Sequence, residues 1–230
     1  MARSARARGA VRASGRRHLR KRRLATIAAG RDRGVIVASF TADWYAARAA
    51  GVVAYLLLSS SVALGLLLAG KERLDRWPRF ALEDVHRFAG LLAGWFIALH
   101  VLAIGIDSQA HIGLAEMIVP FSAHYRPLWT GLGIVAAELL VALAISNHYR
   151  KQLSHLVWRR LHYLNFGVWL AATAHGLGAG TDSGSGWLLM LYAASTTTVA
   201  ALAVRRFARH ERASSRPRRP EAAGLESAKT

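Results

Sequence analysis

Five windows of this chain are apolar over about 20 residues each, the length a helix needs to cross a bilayer. They run roughly 46–69, 86–106, 128–147, 161–179 and 186–204. Few soluble domains combine such runs with a formal net charge of +18, at 53% hydrophobic residues and a mean hydropathy of +0.22. The basic residues gather between and beyond the apolar windows. That distribution predicts an all-α polytopic membrane protein of about five transmembrane helices, rather than a nucleic-acid binder. The chain has no cysteine. Disulfides, thiolate metal ligands and cysteine nucleophiles are therefore excluded.

Three regions follow from composition. Residues 1–40 form a basic tail expected to be disordered, with twelve Arg or Lys and one Asp in the first 33 positions. It has neither the short charged start nor the cleavage site of a standard signal peptide. The reading is a solvated tail, with contact to anionic lipid as the functional alternative. Residues 44–205 hold the spans, and 206–230 form a second basic tail, expected to be disordered and cytoplasmic. The linker 107–127 contains "HIGLAEMIVPF", which suits a short interfacial helix or a re-entrant cap over the bundle.

Charge bias sets an orientation. The loop 71–85 with Arg87 carries five basic residues, and the loop 148–160 carries Arg150, Lys151, Arg159 and Arg160. The segment from Arg205 onward carries eight. These three regions are placed in the cytoplasm. An odd number of spans then puts the basic N-terminal tail outside, which conflicts with its charge. The three agreeing segments outweigh the one tail.

Two spans each hold two histidines. His86 and His100 lie fourteen residues apart in the second span, about 21 Å along a helix. His162 and His175 lie thirteen apart in the fourth, about 20 Å. In the orientation above, His86 and His162 share the cytoplasmic level, and His100 and His175 share the outer one. Fourteen residues return nearly to one helix face. Thirteen do not, so the fourth span is expected to bend, at Gly167 for instance, or to use different histidine rotamers. Taken singly, each histidine reads as an interfacial anchor or an interhelical hydrogen bond. Four at two matched depths instead fit bis-histidine ligation of two haems, a metal site as well as a cofactor site.

Other residues are assigned around that frame. Arg87, Arg159 and Arg160 are expected near the inner propionates and Arg48 near an outer one; the alternative for each is an interfacial anchor. Gly90, Gly94, Gly167, Gly176 and Gly178 are candidates for close approach of a haem plane to backbone. Glu138 is the only carboxylate inside a span, and it is read as an interhelical bond or an aid to proton movement. His111, His124, His148 and His155 do not share the depth pairing and read as surface residues. Asp107, His111, Glu116 and Asp182 lie on the outer side and are candidates to shape an electron-acceptor or metal-ion site there.

The quoted runs "HRFAGLLAGWFIALH" and "HYLNFGVWLAATAH" resemble the paired haem-binding helices of the ferric-reductase-like transmembrane domain. That group includes the NADPH oxidases and the bacterial haem subunit of the methionine sulfoxide reductase system. "WRRLHYL" and "YRPLW" extend the resemblance, which covers roughly residues 44–205. It implies that His86, His100, His162 and His175 hold two haems and carry electrons outward across a bacterial inner membrane. The segment after the last span is too short for a flavin or nicotinamide domain and shows no GxGxxG pattern. The chain is thus expected to be an oxidoreductase component rather than a complete reductase. Its electrons would come from a separate flavoprotein or from quinol, and its basic inner face suits an acidic donor or anionic lipid. Two other classes stay open: a transporter that binds a metal ion, and a structural or assembly subunit whose histidines make interhelical contacts.

Overall fold

Inside hydrocarbon a backbone must satisfy its own N–H and C=O groups, so apolar windows of this length fold as helices. A computed structural model describes residues 42–70, 77–107 and 112–214. The expectations for the tail 1–40, the loop residues 71–76, His111 and the stretch 215–230 lie outside the described residues. The described residues contain no strand. Their helices are α1 (Ala42–Ala69), α2 (Arg79–Ile106), α3 (Leu114–Ile118), α4 (Pro127–His148), α5 (His155–Ala179) and α6 (Gly186–Ser214).

Four of these, α1, α2, α4 and α6, are long and apolar enough to cross a membrane. The fifth expected span is present as α5, which has 25 residues but is diluted by His162, Asn165, Thr173 and His175. Several helices begin before their apolar windows. α2 starts seven residues ahead of His86, where Arg79 and Glu83 form an i,i+4 pair at 3.1 Å. α5 starts at His155, where the Ser154 side chain accepts the Val157 N–H at 3.3 Å. Hydropathy marks the part of a helix in lipid, and capping marks where the helix begins. At the other end of the chain α6 runs on to Ser214, so Arg205, Arg206, Arg209 and Arg212 are helical.

α1 is the central helix. In its apolar stretch 39% is buried, against 17–22% for α2, α4 and α6. Tyr55, Leu58, Val62 and Leu66 lie along α1 and join Val168 and Trp169 of α5 and Leu188, Tyr192 and Val199 of α6 in one core. Ala93 of α2 and Ala136 and Leu143 of α4 complete it. Two side-chain hydrogen bonds cross this core: the Trp169 indole donates to Ser59 Oγ at 3.0 Å, and the Tyr55 and Thr173 hydroxyls pair at 3.2 Å. Thr173 also reaches the Trp169 carbonyl of its own helix at 2.8 Å. On the outside, Phe88, Leu91, Trp95 and Leu102 of α2 are 60–69% exposed. An apolar stripe of that size belongs against lipid.

Replacing Trp169 with Phe removes the bond to Ser59 and keeps most of the packing. The expected loss is about 0.6–1.7 kcal/mol, the range for interhelical hydrogen bonds in membranes. Unfolding in mixed detergent reads it; wild-type stability in the variant would mean that packing alone joins α1 to α5.

Candidate functional site

α1 and α2 lie antiparallel, and the two histidines of α2 face two glycines of α1. A Cβ placed on Gly51 would stand 3.0 Å from His100 Nδ1, and one on Gly65 would stand 3.3 Å from the His86 ring. Each ring uses that space to reach a backbone carbonyl one turn earlier on α1. His100 Nδ1 donates to the Ala47 carbonyl at 2.7 Å, and His86 Nδ1 donates to the Ser61 carbonyl at 2.9 Å. The Ser61 hydroxyl adds a bond to the His86 carbonyl at 3.3 Å.

The same arrangement recurs between α5 and α4. His175 Nδ1 donates to the Trp129 carbonyl at 2.9 Å, and a Cβ on Gly133, four residues on, would stand 2.5 Å from the His175 ring. Three times, then, a carbonyl at position i accepts the imidazole and a glycine at i+4 clears it. A carbonyl only accepts, so in the neutral ring the proton sits on Nδ1. Nε2 keeps its lone pair for a metal. Such a bond from the far nitrogen to a carbonyl is the usual support for a metal-binding histidine.

His162 is held differently. Thirteen residues in an ideal helix turn it about 140° from His175, so it cannot face the same neighbour. Instead Trp158, one turn earlier on α5, stacks on its ring with centroids 5.2 Å apart and planes at 23°. The Asn165 amide lies 3.5 Å from its Nδ1 and donates to the His162 carbonyl at 2.8 Å. α5 is continuous from His155 to Ala179, Gly167 included.

The four histidines meet as two pairs. His86 and His162 have ring centroids 6.2 Å apart with planes at 71°, and His100 and His175 are also 6.2 Å apart, at 79°. Beside the second pair is an apolar pocket of about 140 Å³, partly open to the surroundings. α1, α2, α4 and α5 supply its walls, and Ile112, Glu116 and Met117 close one end. The linker lines this pocket, with α3 as its helical turn.

The stretch "YRPLW" has a structural role at this end. The Arg126 guanidinium donates to the Gly178 carbonyl, and the Tyr125 hydroxyl donates to the Ala179 carbonyl at 3.3 Å. Both carbonyls belong to the last turn of α5, which has no intrahelical donors left and favours a cation. Pro127 opens α4 at a position where no N–H is required. Trp129 supplies the carbonyl for His175, and its indole lies over Gly178, where a Cβ would collide with it.

The remaining candidates are scattered. Arg48 is ion-paired with Asp182 and lies near the Trp44 and Tyr45 rings. Arg87, Arg159 and Arg160 are exposed near the His86–His162 pair in sequence. Of the outer-side group, Asp107 is buried at the end of α2, while Glu116 pairs with the exposed His124 at 2.5 Å. His148 and His155 are exposed at helix ends. Glu138 is exposed on α4 and bonds no other helix among the described residues. Gly94 and Gly167 have nothing within 4 Å of a built Cβ, Gly90 meets only Ser61 Oγ at 3.4 Å, and Gly176 accommodates Tyr192. The glycines that serve the histidines are Gly51, Gly65 and Gly133. A legible sign was present: Gly51 and Gly65 repeat the fourteen-residue spacing of His86 and His100.

Residues 50–173 match the family described as ferric reductase like transmembrane component. The chain belongs to that family. The match spans α1 to most of α5, includes His86, His100 and His162, and stops two residues before His175. No curated protein and no solved structure matches the chain. The ferric-reductase-like family is generally haem-binding, and membership makes this multi-pass membrane protein an electron-transfer component.

The residues present fit haem. An iron between two imidazoles, with metal–nitrogen bonds of about 2.0–2.1 Å, separates the ring centroids by roughly 6 Å. Both pairs have that separation. Among the described residues no three or more His, Asp or Glu converge as a metal-ion site. Donors that come in twos suit a metal whose other positions are filled by a macrocycle.

Gly133→Ala is expected to push His175 off the Trp129 carbonyl and destabilise the protein by about 1–3 kcal/mol, the usual range for overpacking. Thermal unfolding of the variant beside the wild type checks it.

Proposed function

We propose that the protein is a b-type dihaem electron-transfer component of a bacterial inner membrane. It passes electrons from a cytoplasmic flavoprotein or quinol to an acceptor outside, with its C-terminus cytoplasmic. One observation carries the reading: two histidine pairs of equal separation, with three of the four rings tied through Nδ1 so that Nε2 is available.

Haem, when bound, supplies reversible one-electron chemistry at iron. The chain supplies the rest. His86 and His162 are the ligands of the cytoplasmic-side site, and His100 and His175 those of the outer site. The carbonyls of Ser61, Ala47 and Trp129 fix ring orientation and tautomer, and Trp158 steadies His162. The apolar walls beside His100 and His175 exclude water. Arg87, Arg159 and Arg160 are assigned to propionates on the cytoplasmic side, and Arg48 to one outside, where it shares Asp182. With Arg150 and Lys151 the first three also form a basic face suited to an acidic donor protein or anionic lipid.

The visible spectrum of the purified protein tests this. The expected result is a Soret band and a reduced alpha band typical of b haem, with two haems per chain. His100→Ala or His175→Ala should remove mainly one haem, and His86→Ala or His162→Ala mainly the other. Absence of haem after reconstitution would sink the proposal. Equal loss in all four variants would point to histidines that serve folding as interhelical contacts.

A further inference from the structure

Glu138 is placed where a carboxylate is hardest to keep. It stands near the middle of α4, eleven residues after Pro127 and ten before His148. Its surroundings along the chain, "GIVAAELLVALAI", are otherwise apolar. It is exposed, and among the described residues no polar group bonds to it. A charged group at mid-depth in lipid is costly unless something pairs with it, and such residues mark function by default. The other acidic residues of the described helices lie at helix ends or in the α3 turn: Asp43, Glu83, Asp84, Glu116 and Glu211.

The face around it is suited to another helix. Positions 138, 141, 142 and 145 share one side of α4, and all four are exposed, Val141 at 60% and Ile145 at 54%. Ala142 on that face is small, which lets a second backbone approach closely. A polar side chain on such a face acts as the bonding point between helices.

Charge decides what that helix carries. The described spans of this chain present no Arg or Lys at mid-depth; Arg48, Arg79, Arg87 and Arg205 all lie toward helix ends. A second copy meeting this face symmetrically would set one Glu138 against another. We propose that the Glu138 face of α4 docks a transmembrane helix of a different protein that bears a lysine or arginine at mid-bilayer depth. The proposal is independent of haem binding and of the direction of electron flow.

The test uses the full chain in phosphatidylcholine vesicles, which carry no net charge of their own. The chain has no cysteine, so Asn147→Cys gives a single labelling site near the end of α4. The probes are synthetic leucine–alanine transmembrane peptides with a central lysine, leucine or glutamate, each carrying a donor fluorophore. Energy transfer is expected to show the lysine peptide associating at least about fivefold more strongly than the leucine peptide, the scale of a polar interhelical contact. That preference should vanish in Glu138→Leu and shrink in Glu138→Gln. If Glu138→Leu does not fold, the Glu138→Gln comparison alone decides. Equal binding of lysine and leucine peptides overturns the proposal. So does a preference that survives both substitutions, or stronger binding of the glutamate peptide. Self-association of the wild-type chain that is lost in Glu138→Leu would assign the face to a second copy instead.

Discussion

The arrangement depends on one interaction, the hydrogen bond from a histidine Nδ1 to a main-chain carbonyl. A helical carbonyl already accepts an N–H from the residue four positions on. Its second lone pair is free, but a side chain at i+4 normally covers the approach. Glycine at that position uncovers it. Through this device α1 holds both histidines of α2, and α4 holds His175. The acceptor is backbone, so it carries no charge to be desolvated in the bundle. The same bonds that join helices also decide which nitrogen of each ring faces the interior.

The remaining histidine shows the limits of the device. A thirteen-residue interval sends His162 to a different side of α5 from His175, away from the neighbour that serves the latter. Trp158 compensates from within the same helix, where a spacing of four places its ring over the imidazole. The two levels therefore have the same ring separation but unlike supports. At the His100–His175 level both rings are tied to other helices. At the other level one ring is tied and one is stacked.

Much of this was legible in the sequence because it depended on spacing. Helix rise alone matches His86 with His162 and His100 with His175 in depth, and the structure brings the same residues within one ring-to-ring distance. The windows marked the spans because lipid selects by hydropathy. They missed where α2 and α5 begin because the Arg79–Glu83 pair and the Ser154 cap act outside the apolar part. The supporting carbonyls were not legible, since any residue supplies one; Ala47 and Trp129 say nothing by their side chains. The glycines chosen from sequence were those nearest the histidines along the chain. The glycines that face the histidine rings, Gly51, Gly65 and Gly133, lie on other helices and are found only by asking what stands opposite.

α1 acts as a ruler for two sites at once. Gly51 and Gly65 must both remain opposite their histidines, so the interval between them is fixed even where the residues within it are free to change. Inserting one residue there would turn one glycine about 100° away from its ring and move it about 1.5 Å in depth. Among descendants of this chain, the stretch between the two glycines should keep a constant length even where exposed positions such as Leu56 change.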